Sequence, residues 1–206
     1  MSKLIKSCLI IGGGGHASVL VDSINKNNIN IIGYVAKKKS NNILSDFDYL
    51  GDESIIYDFK PTEILLVNGI GSLPDYNNRW IVAKKFKNLN YKFLTVIHPS
   101  AIIANKVIIS DGAQIMANVV LQTGVIIGED SIINTSSSID HDSKISRNCH
   151  IGPGSVLSGG VNIEENVHIG TGSTIIQNIS IENNSIISAG STIYKNLPKN
   201  TRFFNK

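Results

Sequence analysis

The chain has 206 residues, a net charge of +3, 17% charged and 42% hydrophobic residues. That length supports one large domain or two small ones, and the near-neutral balance excludes both an acidic disordered tail and a basic nucleic-acid arm. Two cysteines, Cys8 and Cys149, are too few for a disulfide framework; no apolar run is long enough for a membrane span, and the one after Met1–Lys6 is too short for a signal peptide, so a cytoplasmic protein with no membrane partner is expected.

In chain order, an apolar strand is predicted over 6–11, followed by Gly12-Gly13-Gly14-Gly15-His16-Ala17. A helix then covers 18–26, with Val19, Leu20 and Ile24 on one face. Further strands are expected at 29–35 and 63–67, and a second helix at 79–87. Strand, glycine loop, helix and strand open a small Rossmann-like unit on a parallel sheet. Backbone N–H groups at such a helix start approach phosphate oxygens closely.

Gly12-x-Gly14-x-x-Ala17 has the GxGxxA form, but a dinucleotide site needs an acidic residue at the end of the second strand. This chain has Ala36-Lys37-Lys38-Lys39 there, and the unit spans about 90 residues, half a dinucleotide fold. A nucleoside diphosphate fits better than NAD. Lys37–Lys39 lie either near its phosphates or in a solvated turn. His16 either donates to a phosphate or sugar oxygen or is a solvated residue of the first helical turn.

The second half of the chain keeps a six-residue period. Every sixth position from Ile97 to Ile193, seventeen in all, is Ile or Leu, and the position two before each is mostly Ala, Val, Ser or Cys. A period of six is neither the 3.6 of a helix nor the two of a hairpin sheet. It fits a strand–turn unit repeated three times per 18-residue coil, with the aliphatics stacking into a column that no single repeat buries. The expectation is a parallel β-helix of five to six coils. Gly128, Gly152 and Gly170 follow the aliphatic position directly, where a turn with positive φ would favour glycine. The abundance of Asn and Lys is read as a base-composition bias without functional cause.

Within the repeats, Asn134-Thr135-Ser136-Ser137-Ser138-Ile139-Asp140-His141-Asp142 is followed by Cys149-His150-Ile151-Gly152. A neutral imidazole held by a carboxylate is what a general base needs near neutral pH. His150 and His168 are one coil apart and should stack; His141 is half a coil from His150 and points elsewhere on its own chain, so the two meet only across a subunit interface. No close His pair of the metal-binding type occurs, so no metal is expected. Cys149 occupies a small inward slot and reads as packing.

A short Rossmann-like unit with a Gly-Gly-His loop, then hexapeptides carrying Asn-Thr-x-x-x-Ile-Asp-His-Asp and a His nine residues later, resembles the bacterial sialic acid O-acetyltransferase and nucleotide-aminosugar N-acetyltransferase family. The resemblance covers roughly residues 6 to 197. It implies domains at 1–95 (nucleotide-sugar binding) and 96–206, the latter a left-handed β-helix. It also implies an acetyl-CoA-dependent homotrimer acting on the 4-amino group of a dTDP- or UDP-linked 4-amino-4,6-dideoxyhexose for surface glycans such as lipopolysaccharide O-antigen. On this resemblance His141 is the base, Asp142 orients it (Asp140 as substitute) and Asn134 supports the same site. His150, with the backbone around Gly159, Gly160 and Gly170, serves acetyl-CoA. Gly14, Gly15, His16 and Lys37 serve the nucleotide.

Two departures stand out. Family members often carry acidic residues after the second strand for the nucleobase, where this chain has Ala36 and Lys37. The usual C-terminal Gly-x-Pro-Ala-Lys signature is absent, leaving Lys199 or Arg202 for the CoA phosphates. O-acetylation of sialic acid or another sugar uses the same base and is the alternative; a non-catalytic scaffold or ligand-binding trimer is a third reading.

Overall fold

The computed structural model describes residues 7–204; Lys6, the expected start of the first strand, lies outside them. The chain divides into two compact units, Met1–Val96 and Ile97–Lys206.

In the N-terminal unit, β1 (Cys8–Ile11), β2 (Ile31–Val35), β3 (Tyr49–Gly51), β4 (Leu65–Asn68) and β5 (Lys92–Phe93) form one sheet in the order β3-β2-β1-β4-β5. Every pairing is parallel. All four residues of β1 are buried, which is why this central strand reads as a continuous apolar run. α1 (Gly15–Lys26) starts three residues before the expected position, because extended Gly14 forms the N-cap. Its buried stripe is Ala17, Leu20, Val21 and Ile24, at i, i+3, i+4 and i+7; Val19, expected on that face, is 48% exposed. α2 (Asn78–Asn88) matches its expected place, while β3 and β5 are too short to leave a periodic signal. Leu9, Ile11, Leu66, Ala83, Phe86 and Phe93 anchor one core cluster. The chain leaves β1 toward β2 and β3 on one side and reaches β4 and β5 on the other, so the ends of β1 and β4 form the topological switch point where α/β sheets bind ligands.

In the second unit each of the seventeen aliphatic positions is the last residue of a two-residue strand, from Val96–Ile97 to Thr192–Ile193. Strands three apart in the chain stack in parallel, residue i against i+18, as in Ile133↔Ile151 and Ile145↔Ile163. Three sheets result: a first face through Ile133 and Ile151, a second through Leu121 and Ile139, a third through Ile127 and Ile145. From Ile115 onward the aliphatics are essentially excluded from solvent. A last strand, Arg202–Phe203, continues the first face beyond the periodic region.

The small slots close the corners. The buried hydroxyls of Ser131, Ser137, Ser143, Ser155 and Ser173 each donate to a carbonyl fifteen residues on, at 2.7–3.1 Å. Positive φ falls elsewhere than the sequence suggests. It occurs three residues after the aliphatic, at Gly124, Asp130, Ser136, Asp142, Asn148, Gly154, Gly160, Asn166 and their equivalents. Glycine, Asn and Asp are the residues that tolerate this left-handed conformation. The corner asparagines therefore have a structural cause. Gly128, Gly152 and Gly170 are glycine for a different reason: a Cβ would sit 2.4–2.7 Å from the backbone of the next coil. Among the described residues no helix is long and apolar enough to cross a membrane.

Candidate active site

The turn after Ser138–Ile139 carries His141 on the corner between the second and third faces. Its Nδ1 is 2.9 Å from Asp142 Oδ2, and its backbone N–H donates to Asp140 Oδ1 at 2.8 Å. Asp142 takes its corner position with φ 59°, so the conformation that turns the chain also sets the carboxylate beside the ring. The bond to Asp142, reinforced by the charge of Asp140, raises the His141 pKa above its ordinary 6.5. With Nδ1 on the carboxylate, Nε2 is the basic nitrogen. The side chain is 58% exposed, so a ligand can reach it.

Two glycines make room for this pair. Gly124, one coil earlier, would place a Cβ 2.6 Å from Asp142 Oδ1; Gly159, one coil later, would place one 2.6 Å from both His141 Cε1 and Nε2. Gly159 needs no positive φ, so its role is space. The Gly160 amide donates to the His141 carbonyl at 2.9 Å and the Gly170 amide to the Ile187 carbonyl at 2.9 Å. Both are committed to the coil, so the expected acyl-donor contact does not come from these two N–H groups.

Asn134 is not beside His141. Its Oδ1 accepts the Thr135 N–H at 2.8 Å, and its Nδ2 lies 3.1 Å from His150 Nε2. His150, on the first face, stacks edge-on against His168, with ring centroids 4.7 Å apart and Nδ1 atoms 3.3 Å apart. Burial lowers the His168 pKa. Within one chain, then, His141 and Asp142 form one group and Asn134, His150 and His168 another, on a corner and on the face opposite it. Cys149 Sγ donates to the Glu164 carbonyl, and burial pushes its thiol up to about 12, consistent with packing. Among the described residues no group of three or more His, Cys, Asp or Glu is placed to hold a metal ion.

The N-terminal unit holds a cavity of about 730 Å³ at the β1/β4 switch point, lined among others by Gly12, Gly13, Ala36, Lys37, Asp52, Tyr57, Asn78 and Lys85. Close backbone approach shapes it: a Cβ on Gly12, at φ 108°, would lie 3.1 Å from Gly69. The Gly13 carbonyl accepts from Ser40 Oγ and Asn42 Nδ2, both at 3.0 Å. Since the peptide is trans, the Gly14 N–H points away from those two side chains. Gly14 and Gly15 are exposed, with nothing within 4 Å of an added Cβ, and His16 is half-buried at the start of α1.

Lys37 lines the cavity; Gly14, Gly15 and His16 are not among its lining residues. The Asp52–Lys85 wall was not foreseen. Asp52 caps the short helix Glu53–Asp58 by accepting from the Ser54 N–H, and hydrogen bonding to Ser54, from its side chain first and its backbone second, lowers the Asp52 pKa. Lys85 donates to Glu53 at 2.7 Å, which raises its pKa, and lies over the Tyr57 and Phe86 rings. The one sequence signal for this wall is the Asp52-Glu53-Ser54 cap after a Gly.

Residues 7–86 match the PglD N-terminal domain, and residues 142–177 and 160–195 match the six-repeat bacterial transferase hexapeptide. Among solved structures, the chain is similar to perosamine N-acetyltransferase from Caulobacter crescentus, determined with a histidine replaced by asparagine and in complex with CoA and GDP-perosamine. Identity is 29% over 97% of this chain and 93% of that chain, with a TM-score of 0.86. The acetyltransferase domain of PglB from Neisseria gonorrhoeae FA1090, in complex with acetyl coenzyme A, is 25% identical over 94% and 93%, with a TM-score of 0.86. WeeI from Acinetobacter baumannii AYE, 18% identical over 94% of each chain at a TM-score of 0.79, shares the fold. No curated protein sequence matches the chain. Fold and site together define an acyltransferase of the left-handed β-helix, hexapeptide-repeat class. Within that class the chain joins a PglD N-terminal domain to hexapeptide repeats.

Proposed function

We propose that this protein transfers the acetyl group of acetyl-CoA to the 4-amino group of a nucleotide-linked 4-amino-4,6-dideoxyhexose. The observation that carries the reading is the exposed His141–Asp142 pair, with Nδ1 fixed on the carboxylate and Nε2 left basic. His141 Nε2 takes a proton from the amine as its nitrogen bonds to the thioester carbonyl carbon. The resulting tetrahedral oxyanion collapses, the C–S bond breaks, and the CoA thiolate leaves. The imidazolium formed on the way is stabilised by Asp142.

Asn134 and His150 supply the acyl-donor side. Because they sit on the face opposite the His141 corner, they belong to a neighbouring copy's site, and three copies form the working unit. The nucleotide occupies the cavity at the β1/β4 switch point, with its diphosphate toward the Gly14 and Gly15 amides and Lys37. Relatives solved with GDP-perosamine and CoA or with acetyl coenzyme A support this pairing of ligands. His16 belongs to the same loop and donates to the nucleotide.

The test is thiol release from acetyl-CoA with dTDP-, UDP- and GDP-linked 4-amino-4,6-dideoxyhexoses, beside hydroxyl sugars including sialic acid. Turnover with a nucleotide aminosugar and none with the hydroxyl sugars is expected. Turnover on hydroxyl sugars alone makes the protein an O-acetyltransferase, and CoA binding without any turnover makes it a ligand-binding assembly.

A further inference from the structure

The Asn134–His150–His168 group contains a determined pattern of protons. The Thr135 backbone N–H can only donate, so the atom it meets at 2.8 Å on Asn134 is the amide oxygen. The Asn134 amide therefore turns Nδ2–H toward His150, and His150 Nε2, 3.1 Å away, must accept. A neutral imidazole that accepts at Nε2 carries its proton on Nδ1. His150 Nδ1 then donates to His168 Nδ1 at 3.3 Å, and His168 in turn carries its proton on Nε2. Ile132 and Ile186 flank the two rings in the same ladder, giving the pair apolar neighbours above and below. Burial works in the same direction, disfavouring a charged His168.

We infer that His168 is a positioning residue: by accepting a hydrogen bond from His150 Nδ1 it locks that ring in one tautomer and orientation, and the Nε2 of His150 then holds the Asn134 amide at the acyl-donor side of the site. Both nitrogens of His150 are then engaged within the protein. The donor group offered outward is the second hydrogen of Asn134 Nδ2, and His150 acts on the thioester end by holding that amide. The consequence for the reaction rests on the reading of Asn134 and His150 as the acetyl-CoA side; the proton pattern itself does not.

A neutron structure of the full-length protein tests the pattern without any assay. Deuterium on His150 Nδ1 and on His168 Nε2, with none on His150 Nε2, is expected; deuterium on His150 Nε2 overturns the inference. The consequence is tested by His168→Leu, which removes the acceptor, and His168→Asn, which places an amide oxygen near the lost Nδ1. In His168→Leu the KM for acetyl-CoA rises about tenfold while kcat changes less than about threefold, and His168→Asn returns KM to within about threefold of the parent. Equal KM values in the parent and His168→Leu overturn the positioning role. A kcat loss that His168→Asn fails to rescue also overturns it. The expected neutron pattern in a protein that acetylates no sugar would uphold the tautomer assignment and remove the functional reading instead.

Discussion

At the residue scale, His141 depends on one neighbour for charge and another for space. Asp142 stabilises the imidazolium, so the His141 pKa lies above 6.5 and the neutral, basic form accumulates only as pH rises through that raised value. The acid limb of kcat/KM should therefore sit above the ordinary imidazole range. In Asp142→Asn it moves to lower pH, because the largest cause of the shift is gone, while the plateau falls about tenfold or more. A pH profile whose limb stays in place would remove Asp142 as the partner. Gly159 supplies the space: a methyl group there collides with Cε1 and Nε2 at 2.6 Å, so the ring must turn away. Gly159→Ala should lower kcat by about 10–10² with the melting temperature nearly unchanged, since small misplacement of a reacting group is costly. A crystal structure of that variant with the His141 ring unmoved, or an unaltered kcat, would contradict this.

At the scale of the element, the corner decides stability. Asn166 sits at φ 59°, accepts from Asn148 Nδ2 at 2.8 Å and donates to Asn184 Oδ1 at 3.1 Å. Asn166→Gly loses the side-chain bonds alone, whereas Asn166→Ala also carries the left-handed penalty of about 1–2 kcal/mol. Urea unfolding should thus rank Ala below Gly by about 1 kcal/mol, the reverse of their order in a helix; equal stabilities would mean that backbone strain is not what selects Asn here. The same corner explains where sequence reading succeeds and fails. The period of six marks every strand from Ile97 to Ile193, because each aliphatic must fill the same column. It does not mark which corner residue has positive φ. Glycine occurs at Gly152 for close approach and at Gly154 for φ, and Asn and Asp share the second duty. In the N-terminal unit, buried β1 and the glycine loop are legible. The Asp52–Lys85 wall is not, since a six-residue 3-10 helix and one helix face, 32 residues apart between Glu53 and Lys85, meet only in three dimensions.

At the scale of the whole molecule, a single chain does not bring Asn134 and His150, the proposed acyl-donor side, beside its own His141, the proposed base. His141 occupies the corner between the second and third faces, and Asn134, His150 and His168 lie along the first. His141 and His150 are nine residues apart, half of an 18-residue coil, which makes this a property of the repeat and not of one turn. If the site is shared, two inactive variants with defects on opposite sides should complement one another. His141→Ala lacks the base and Asn134→Ala together with His150→Ala lacks the donor side. Homotrimers of each should show little activity. Co-expressed with distinct tags and purified as mixed trimers, they should regain about a third of the parental turnover, because every mixed trimer joins an intact base to an intact donor side at one of its three interfaces. Regained activity that scales with the proportion of mixed trimers places base and donor on different copies. Mixed trimers as inactive as their parents would overturn the shared site, with His141 on one copy and Asn134 and His150 on the next.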